Sequence, residues 1–486
     1  GTAFWWESRS SPGFFFLPRR SSVIEELGVR EPWRGPERGA YGRLARLAIV
    51  VLLLTLFPSA GISVPSSFTV GASGCDYATI QQASDDDSVP PGSTLSIVDP
   101  VHTEAGIVIA KDLAIEGLGA GISALQAHET RGEAPDRVMT VMYGAAVTLR
   151  DVTIRNGRAS DDDLFRSGGG ILNYGDLGLE RCVVAGNEAN NGGGILSHGG
   201  TLTVDATTIR DNLADRTAPP GYECGSGGGV KLEAGARLVM RDSAILSNRA
   251  LGKGGGLYVA CESEAELVNC TVGLNRASKF GGGLYSRNAL VLAYCTVSAN
   301  AVDSSRAGGG IYVRGTIRMS CSIVSRNGSG LDCVVGGPGD YRGRGAVLAC
   351  DYCLIGDSSY PAALSGDPRL GELTDAPYSE RSGPAGGARP SPPVMPLLRG
   401  SPAIDAIPAD AVAVGADQRG APRPAPVSEG EASGDIGAFE LQPREAYDTA
   451  TDGGGAAALI AWLAAAVALA ASAYAVARIA KNRRGG

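Results

Sequence analysis

Histidine is nearly missing from this chain: three in 486 residues, beside five methionines and an aromatic share of 6%. So few imidazoles leave little room for histidine-based catalysis or a multi-histidine metal site. No glycine recurs at every third position, which excludes a collagen triple helix. Hydrophobic residues reach 44%, which excludes wholesale disorder. Basic charge is scarce in the body of the chain. Residues 1–46 hold eight Arg against five Glu, and residues 478–486 hold four basic groups and no acid. That leaves 31 basic against 46 acidic groups in residues 47–477, a balance of −15. Such a body repels nucleic acid and other polyanions, so no nucleic-acid partner is expected.

What abounds is glycine, 70 residues in all. With ordinary hydrophobicity, that points to many tight turns between short strands. The glycines are organised. Triplets begin at Gly168, Gly192, Gly227, Gly254, Gly281 and Gly308, and a short apolar stretch follows each. An asparagine closes each unit: Asn187, Asn212, Asn248, Asn275, Asn300 and Asn327, with Asn156 closing an earlier one. The distance from triplet to asparagine stays between 19 and 21 residues. Apolar residues inside a unit alternate with period two, the strand period. One such unit cannot bury its apolar face alone, but stacked units can. The pattern therefore predicts an all-β fold, a parallel β-helix solenoid of about eleven coils and on the order of 50 Å.

The special residues acquire roles in that stack. Glycines supply positive φ at a corner and let successive backbones approach. Asparagines recurring at one corner form a ladder of amides. Five residues before each closing asparagine stand Cys182, Thr207, Ser243, Cys270, Cys295 and Ser322, all small, which predicts an inward-facing row. Length variation is confined to the stretch between asparagine and next triplet. Two long insertions, 157–167 and 213–226, should project there from one edge, two coils apart. Loops on a rigid scaffold are where function usually sits, although a surface corner also simply tolerates insertions.

Ten cysteines in an exported chain make disulfides the default. Cys270 and Cys295 share a rung position and either bond or stack. Cys224 and Cys261 flank neighbouring triplets and are candidates to pin the longer loop. Cys350 and Cys353 form a lone CxxC. Asp161, Asp162 and Asp163 lie together in an inserted loop, where three carboxylates offer hard oxygen ligands for Ca²⁺; a solvated loop is the competing reading. Asp417, Arg419, Asp435 and Glu440 are candidates for a buried ion network.

Both ends of the chain carry targeting signals. Residues 43–60 read as a signal peptide: Arg43 and Arg46, the apolar run 47–57, then small residues. Residues 1–42 stay unassigned as an extension. Residues 456–477 are uncharged and apolar, about 33 Å long as a helix, and a basic tail, 478–486, follows. This predicts one transmembrane helix, with the β-helix outside and the tail inside. The expected order between them is the β-helix at 66–373 with an N-terminal cap and a short helix from Thr79, a Pro/Gly-rich linker or loop at 374–400, a C-terminal cap at 401–440 and a linker at 441–455.

The stretch VGASGCDYATIQQA at 70–83, the GGGI and GGGLY repeats and the closing SPAIDA, DQRG and DIGAFE resemble bacterial right-handed parallel β-helix surface proteins of the pectate-lyase-like superfamily. The closing set is similar to the choice-of-anchor Q domain, and the repeats to those of polymorphic outer membrane proteins. Ile407 stands where that family usually has Gly, and Gly434 where a Cys commonly precedes DIGAFE. The resemblance implies an exported, membrane-anchored cell-surface β-helix with a binding or structural role, adhesion or glycan contact. The alternative it implies is a polysaccharide lyase or glycoside hydrolase, with Asp161, Asp162, Asp163 and His198 as candidate catalytic residues. Expected partners are the membrane, through the C-terminal helix, and a glycan or other surface partner; Ca²⁺ is the one cofactor considered.

Overall fold

The computed structural model describes residues 65–159, 167–215, 225–304, 307–328, 331–336, 347–357, 363–375, 392–425 and 433–442. Residues 43–60 and 456–477, Asp161, Asp162, Asp163 and Cys224 lie outside the described residues. Among the described residues no helix is long and apolar enough to cross a membrane.

Short parallel strands dominate. They form sheets of eleven, ten, nine and five strands, and within each sheet the neighbour of a strand comes from the next coil. The eleven-stranded sheet runs from Ser67–Val70 to Val347–Asp351, the ten-stranded from Val101–Thr103 to Leu354–Ile355, and the nine-stranded from Ile107–Ile109 to Cys333–Val335. Eleven rungs match the expected coil number. Alternation sets what faces in. In Asp176–Glu180, Leu177 and Leu179 are buried while their neighbours face out. Leu177 stacks on Leu202, then Leu238, Ala265, Leu290 and Ile317, one inward column through six coils.

Three glycines occur together because each meets a different constraint. Gly254 has φ +64, a left-handed corner. A Cβ on Gly255 would lie 2.2 Å from the Gly282 carbonyl oxygen of the next coil. A Cβ on Gly256 would crowd the Gly283 carbonyl oxygen at 2.8 Å and the Asn275 amide. The triplets line up along one edge, with Gly193 N–H donating to Gly227 O, Gly228 to Gly254, Gly255 to Gly281 and Gly282 to Gly308.

The asparagines form the expected ladder. Each Nδ2 donates to the Oδ1 of the next coil's asparagine at 2.9–3.0 Å, from Asn187 through Asn327. The same Oδ1 accepts the backbone N–H of the residue before it in the ladder. Asn156 sits one place out of register. It takes the left-handed corner itself (φ 56), and Gly157 N–H donates to Asn187 Oδ1 from the ladder position.

A second corner carries the row of small residues, all buried. The residue before each is left-handed, among them Arg181, Ala206, Asp242, Asn269, Tyr294 and Cys321. The small side chain pays for that strain by bonding locally. Thr207 Oγ1 donates to Asp205 O at 2.8 Å and accepts Cys182 N–H at 3.0 Å. Cys270 and Cys295 occupy adjacent rungs of this row as thiols, stacked rather than bonded, because both face a packed interior where small side chains fill the corner. Burial pushes the Cys182 thiol up to about 12, which leaves it inert. Cys350 and Cys353 are also thiols; a hydrogen bond from Cys353 holds Cys350 below the usual thiol range. Cys261 is an exposed free thiol.

The first coil is closed by the helix Ile80–Asp85, capped by the Thr79 side chain. Ile80 and Ala83 are buried against the core. Gln81 covers the edge of the nine-stranded sheet: its side chain accepts Val108 N–H at 2.7 Å and donates to Val108 O at 3.2 Å.

The segment expected as an end cap lies on the flank. Residues 392–442, where described, pack across the outer face of the last rungs of the ten-stranded sheet. Asn269 donates to Ala416 O, Thr271 to Gln418 and Ala438 N–H to Thr296 Oγ1. The reason is apolar: Ile323, Leu354 and Tyr294 face outward there, and Val394, Leu397, Ile407, Ile436 and Phe439 cover them. Of the linker or loop expected at 374–400, the described residues 392–400 form an anchored loop, Val394 and Leu397 bridging antiparallel to Thr374 and Leu370. Ile407 and Gly434, the two departures from the resembled pattern, are partners, exchanging hydrogen bonds at 2.9 and 2.8 Å. A Cβ on Gly434 would press Val412, so the larger residue on one strand faces the smaller on the other.

This flanking segment, a strap comprising the described parts of residues 363–442, holds the expected ion network, with Arg423 added. Arg419 Nε donates to Asp417 at 2.9 Å, and Arg423 lies 3.3 Å from Glu440, all four buried. Burial, with the Glu440 charge beside it, pushes Asp435 up to about 8. Folding therefore takes up a proton at Asp435 between roughly pH 4 and 8, so the contribution is full at the acid end of that window and lost as pH rises through it. Strap stability should fall steadily as pH rises across the window. Amide exchange of residues 433–442 from pH 5 to 9, corrected for intrinsic rates, checks this. A flat profile, or an unchanged slope in Asp435→Asn, refutes it.

Candidate functional site

Three features of the surface offer chemistry. The first is the corner from which the two insertions leave. Their described feet, Arg158 and Ala159 on one side and Asp215 on the other, flank Glu188–Ala189 of the coil between. The feet line a polar cleft of about 260 Å³ with Gly132 and Asn190. Arg131 closes on Glu188 at 2.9 Å. The Asp161, Asp162 and Asp163 side chains, candidates for Ca²⁺, lie outside the described residues, as does Cys224. Among the described residues no group of three or more His, Cys, Asp or Glu is placed to hold a metal ion.

The second is a groove of about 660 Å³ on the ten-stranded flank, between the outer face of Thr153, Val183 and Thr208 and the strap residues Leu373, Asp375, Pro392 and Pro393. Arg181, Arg210 and Asp211 line it as well. Arg181 is held by Asp151 at 2.7 Å and Arg210 by Asp211 at 2.7 Å. Asp375 is exposed and Asp211 half-buried.

The third is built by register alone. At the edge of the nine-stranded sheet one outward position recurs on every coil. It is filled by Tyr174, His198, Glu233, Ala260, Arg287 and Arg314 in turn, each carrying on from a paired strand residue. Rungs rise about 4.8 Å, so the row spans about 24 Å. Its first half is aromatic. Tyr143, 65% exposed, stands 4.8 Å from the Tyr174 ring, and Tyr174 5.6 Å from the His198 ring. His198 Nδ1 is 3.2 Å from Glu233 Oε1, and Lys231 Nζ is 2.9 Å from Glu233 Oε2. Burial opposes the charge on Glu233, but Lys231 and His198 outweigh it and hold the carboxyl below its ordinary range. Beside this row Tyr258, Tyr285 and Tyr312 stack flat and buried, with centroids 5.0 and 5.7 Å apart.

His198 is thus the one candidate catalytic residue that lies among the described residues, and it sits in a constellation. It is a partner of Glu233 and a neighbour of Tyr174. Tyr143, Tyr174, Glu233 and Lys231 carried no sequence signal of their own, since unequal insertions hide their common register.

Residues 139–327 match the protein family described as right handed beta helix region. With the stacked parallel strands, this makes the described coils a right-handed β-helix. No curated protein matches the chain.

Proposed function

We propose that this right-handed β-helix is exported, anchored in a membrane by residues 456–477, and contacts a glycan at the cell surface through the edge of its nine-stranded sheet. The exposed ring of Tyr143 and the half-buried rings of Tyr174 and His198, on successive coils, support this reading. Their spacing follows the coil rise and is close to the advance of one sugar residue in an extended chain. Aromatic faces stack on the apolar faces of pyranose rings, and Glu233, Lys231 and His198 supply hydrogen-bonding groups alongside. A rigid scaffold bearing a row of such groups suits a binding or adhesive role.

The flank groove supports a second reading, a glycoside hydrolase or polysaccharide lyase, because it gathers Asp211 and Asp375 with Arg181 and Arg210. Asp375 is exposed and Asp211 is paired with Arg210, which suits binding better than acid catalysis, since that calls for a buried carboxyl.

The test is a glycan screen of the full-length protein, with products analysed for turnover. Tyr143→Ala combined with Tyr174→Ala should weaken glycan binding about tenfold or more, without changing the melting temperature. Equal binding by the double variant sinks the aromatic-edge reading. Turnover that disappears in Asp211→Asn would move the function to the flank groove.

A further inference from the structure

Many arginines of this protein are compensated: Arg131, Arg150, Arg181, Arg210, Arg237, Arg276 and Arg326 each stand within 3.0 Å of a carboxylate oxygen. Arg287 and Arg314 are not, and they are neighbours. They occupy the same outward position on adjacent coils, Arg314 N–H donating to Ser286 O just as Arg287 N–H donates to Val259 O. Among the described residues neither has a carboxylate partner. Like charges directly opposite on paired strands are destabilising, and no carboxylate among the described residues offsets them here.

Arg287 follows Tyr285 by two residues and Arg314 follows Tyr312 by two, so each lies on the strand face that carries the buried tyrosine stack. A guanidinium carries five N–H donors, enough for a ligand to take two from each. Arg287 is exposed and Arg314 half-buried, so the free donors reach solvent side by side.

We propose that Arg287 and Arg314 together form a binding site for a single oxyanion, a carboxylate or phosphate group bridged between the two forks. Planar forks match such anions two bonds at a time, and the paired strands place the two forks one rung apart. A lone oxyanion fits better than a polyanion, because the acidic body repels extended negative charge beyond this patch. The site stands on the two arginines by themselves. That its anion is the acidic substituent of a surface glycan rests on the preceding reading: Arg287 lies three rungs beyond His198 in the same row, about 14 Å along the rod.

Calorimetry on the full-length protein at low salt tests this with three probes: inorganic phosphate, a uronic-acid oligosaccharide and its neutral counterpart. The wild type should bind phosphate or the uronate. Arg287→Gln with Arg314→Gln should weaken that binding at least about tenfold. Arg287→Lys with Arg314→Lys should restore part of it, since charge remains but the fork is lost. The glutamine variant should melt at the wild-type temperature or above, because a repulsion has been removed. No binding of either anion by the wild type, equal binding by the glutamine variant, or a clear fall in its melting temperature would overturn the site. Phosphate bound in preference to the uronate upholds it and assigns it to a free ion. Anion binding without any sugar binding sinks the glycan reading and leaves the oxyanion site standing; neutral sugar bound without either anion does the reverse.

Discussion

Gly255→Ala unfolds the coil stack, whereas Gly235→Ala leaves it standing. At Gly255 the new methyl would sit 2.2 Å from the Gly282 carbonyl oxygen and 2.6 Å from the Arg276 carbonyl. Both obstacles are backbone, held by ladder hydrogen bonds to the next coil, and neither can swing aside. Relief requires pulling two coils apart, which breaks pairing and burial together. A loss above about 4 kcal/mol is expected, the range reserved for such failures. At Gly235 nothing lies within 4 Å of the added carbon, and only the left-handed φ of +79 is strained. That change should cost about 1 kcal/mol. Thermal melts of both variants beside the wild type decide the matter. Similar melting temperatures for the two would show that the triplet glycines serve flexibility and not close approach.

The second large effect is expected at Asn275. Its Oδ1 accepts from both the backbone N–H and Nδ2 of Asn248, and its Nδ2 donates to Ile245 O and Asn300 Oδ1. Asn275→Ala leaves the Asn248 N–H and the Ile245 carbonyl without these partners in a site that is 0% exposed. At about 1–3 kcal/mol for each orphaned group, the loss should reach about 4 kcal/mol or more. Asn156→Ala should cost roughly 1–2 kcal/mol, since that amide only donates to His128 O and Glu129 O outside the ladder. Denaturant unfolding measures both; equal losses would mean that the ladder adds nothing beyond local capping.

The coil itself was legible because its rules are local. Glycine triplets, closing asparagines and period-two alternation each repeat at nearly fixed spacing, and register followed from them. The left-handed corners were not legible. Arg181, Tyr294 and Leu274 occupy them, none a turn-former by type, and what allows each is a side-chain bond made by the next residue or by the adjoining coil. The site was hidden for a related reason. Tyr174, His198, Glu233, Arg287 and Arg314 share one row but lie at irregular intervals in the chain, since the insertions change the length of each coil. Only the hydrogen-bond register brings them into line. The strap's position depended on apolar residues facing outward, Ile323 and Leu354, which alternation alone assigns to no partner.

The asparagine ladder has a direction. From Asn187 to Asn327 every amide turns its oxygen toward the earlier coil and sends one N–H to the later coil, the other N–H returning to a carbonyl of the earlier coil, and the last donates to the carboxylate of Asp332 at 3.0 Å. Six aligned amide dipoles add along the axis, as peptide dipoles do in an α-helix, and each polarises the next. The positive end of that series meets a negative charge. The rod is therefore electrically polar from end to end, with an anionic stopper where another amide would merely have prolonged the chain.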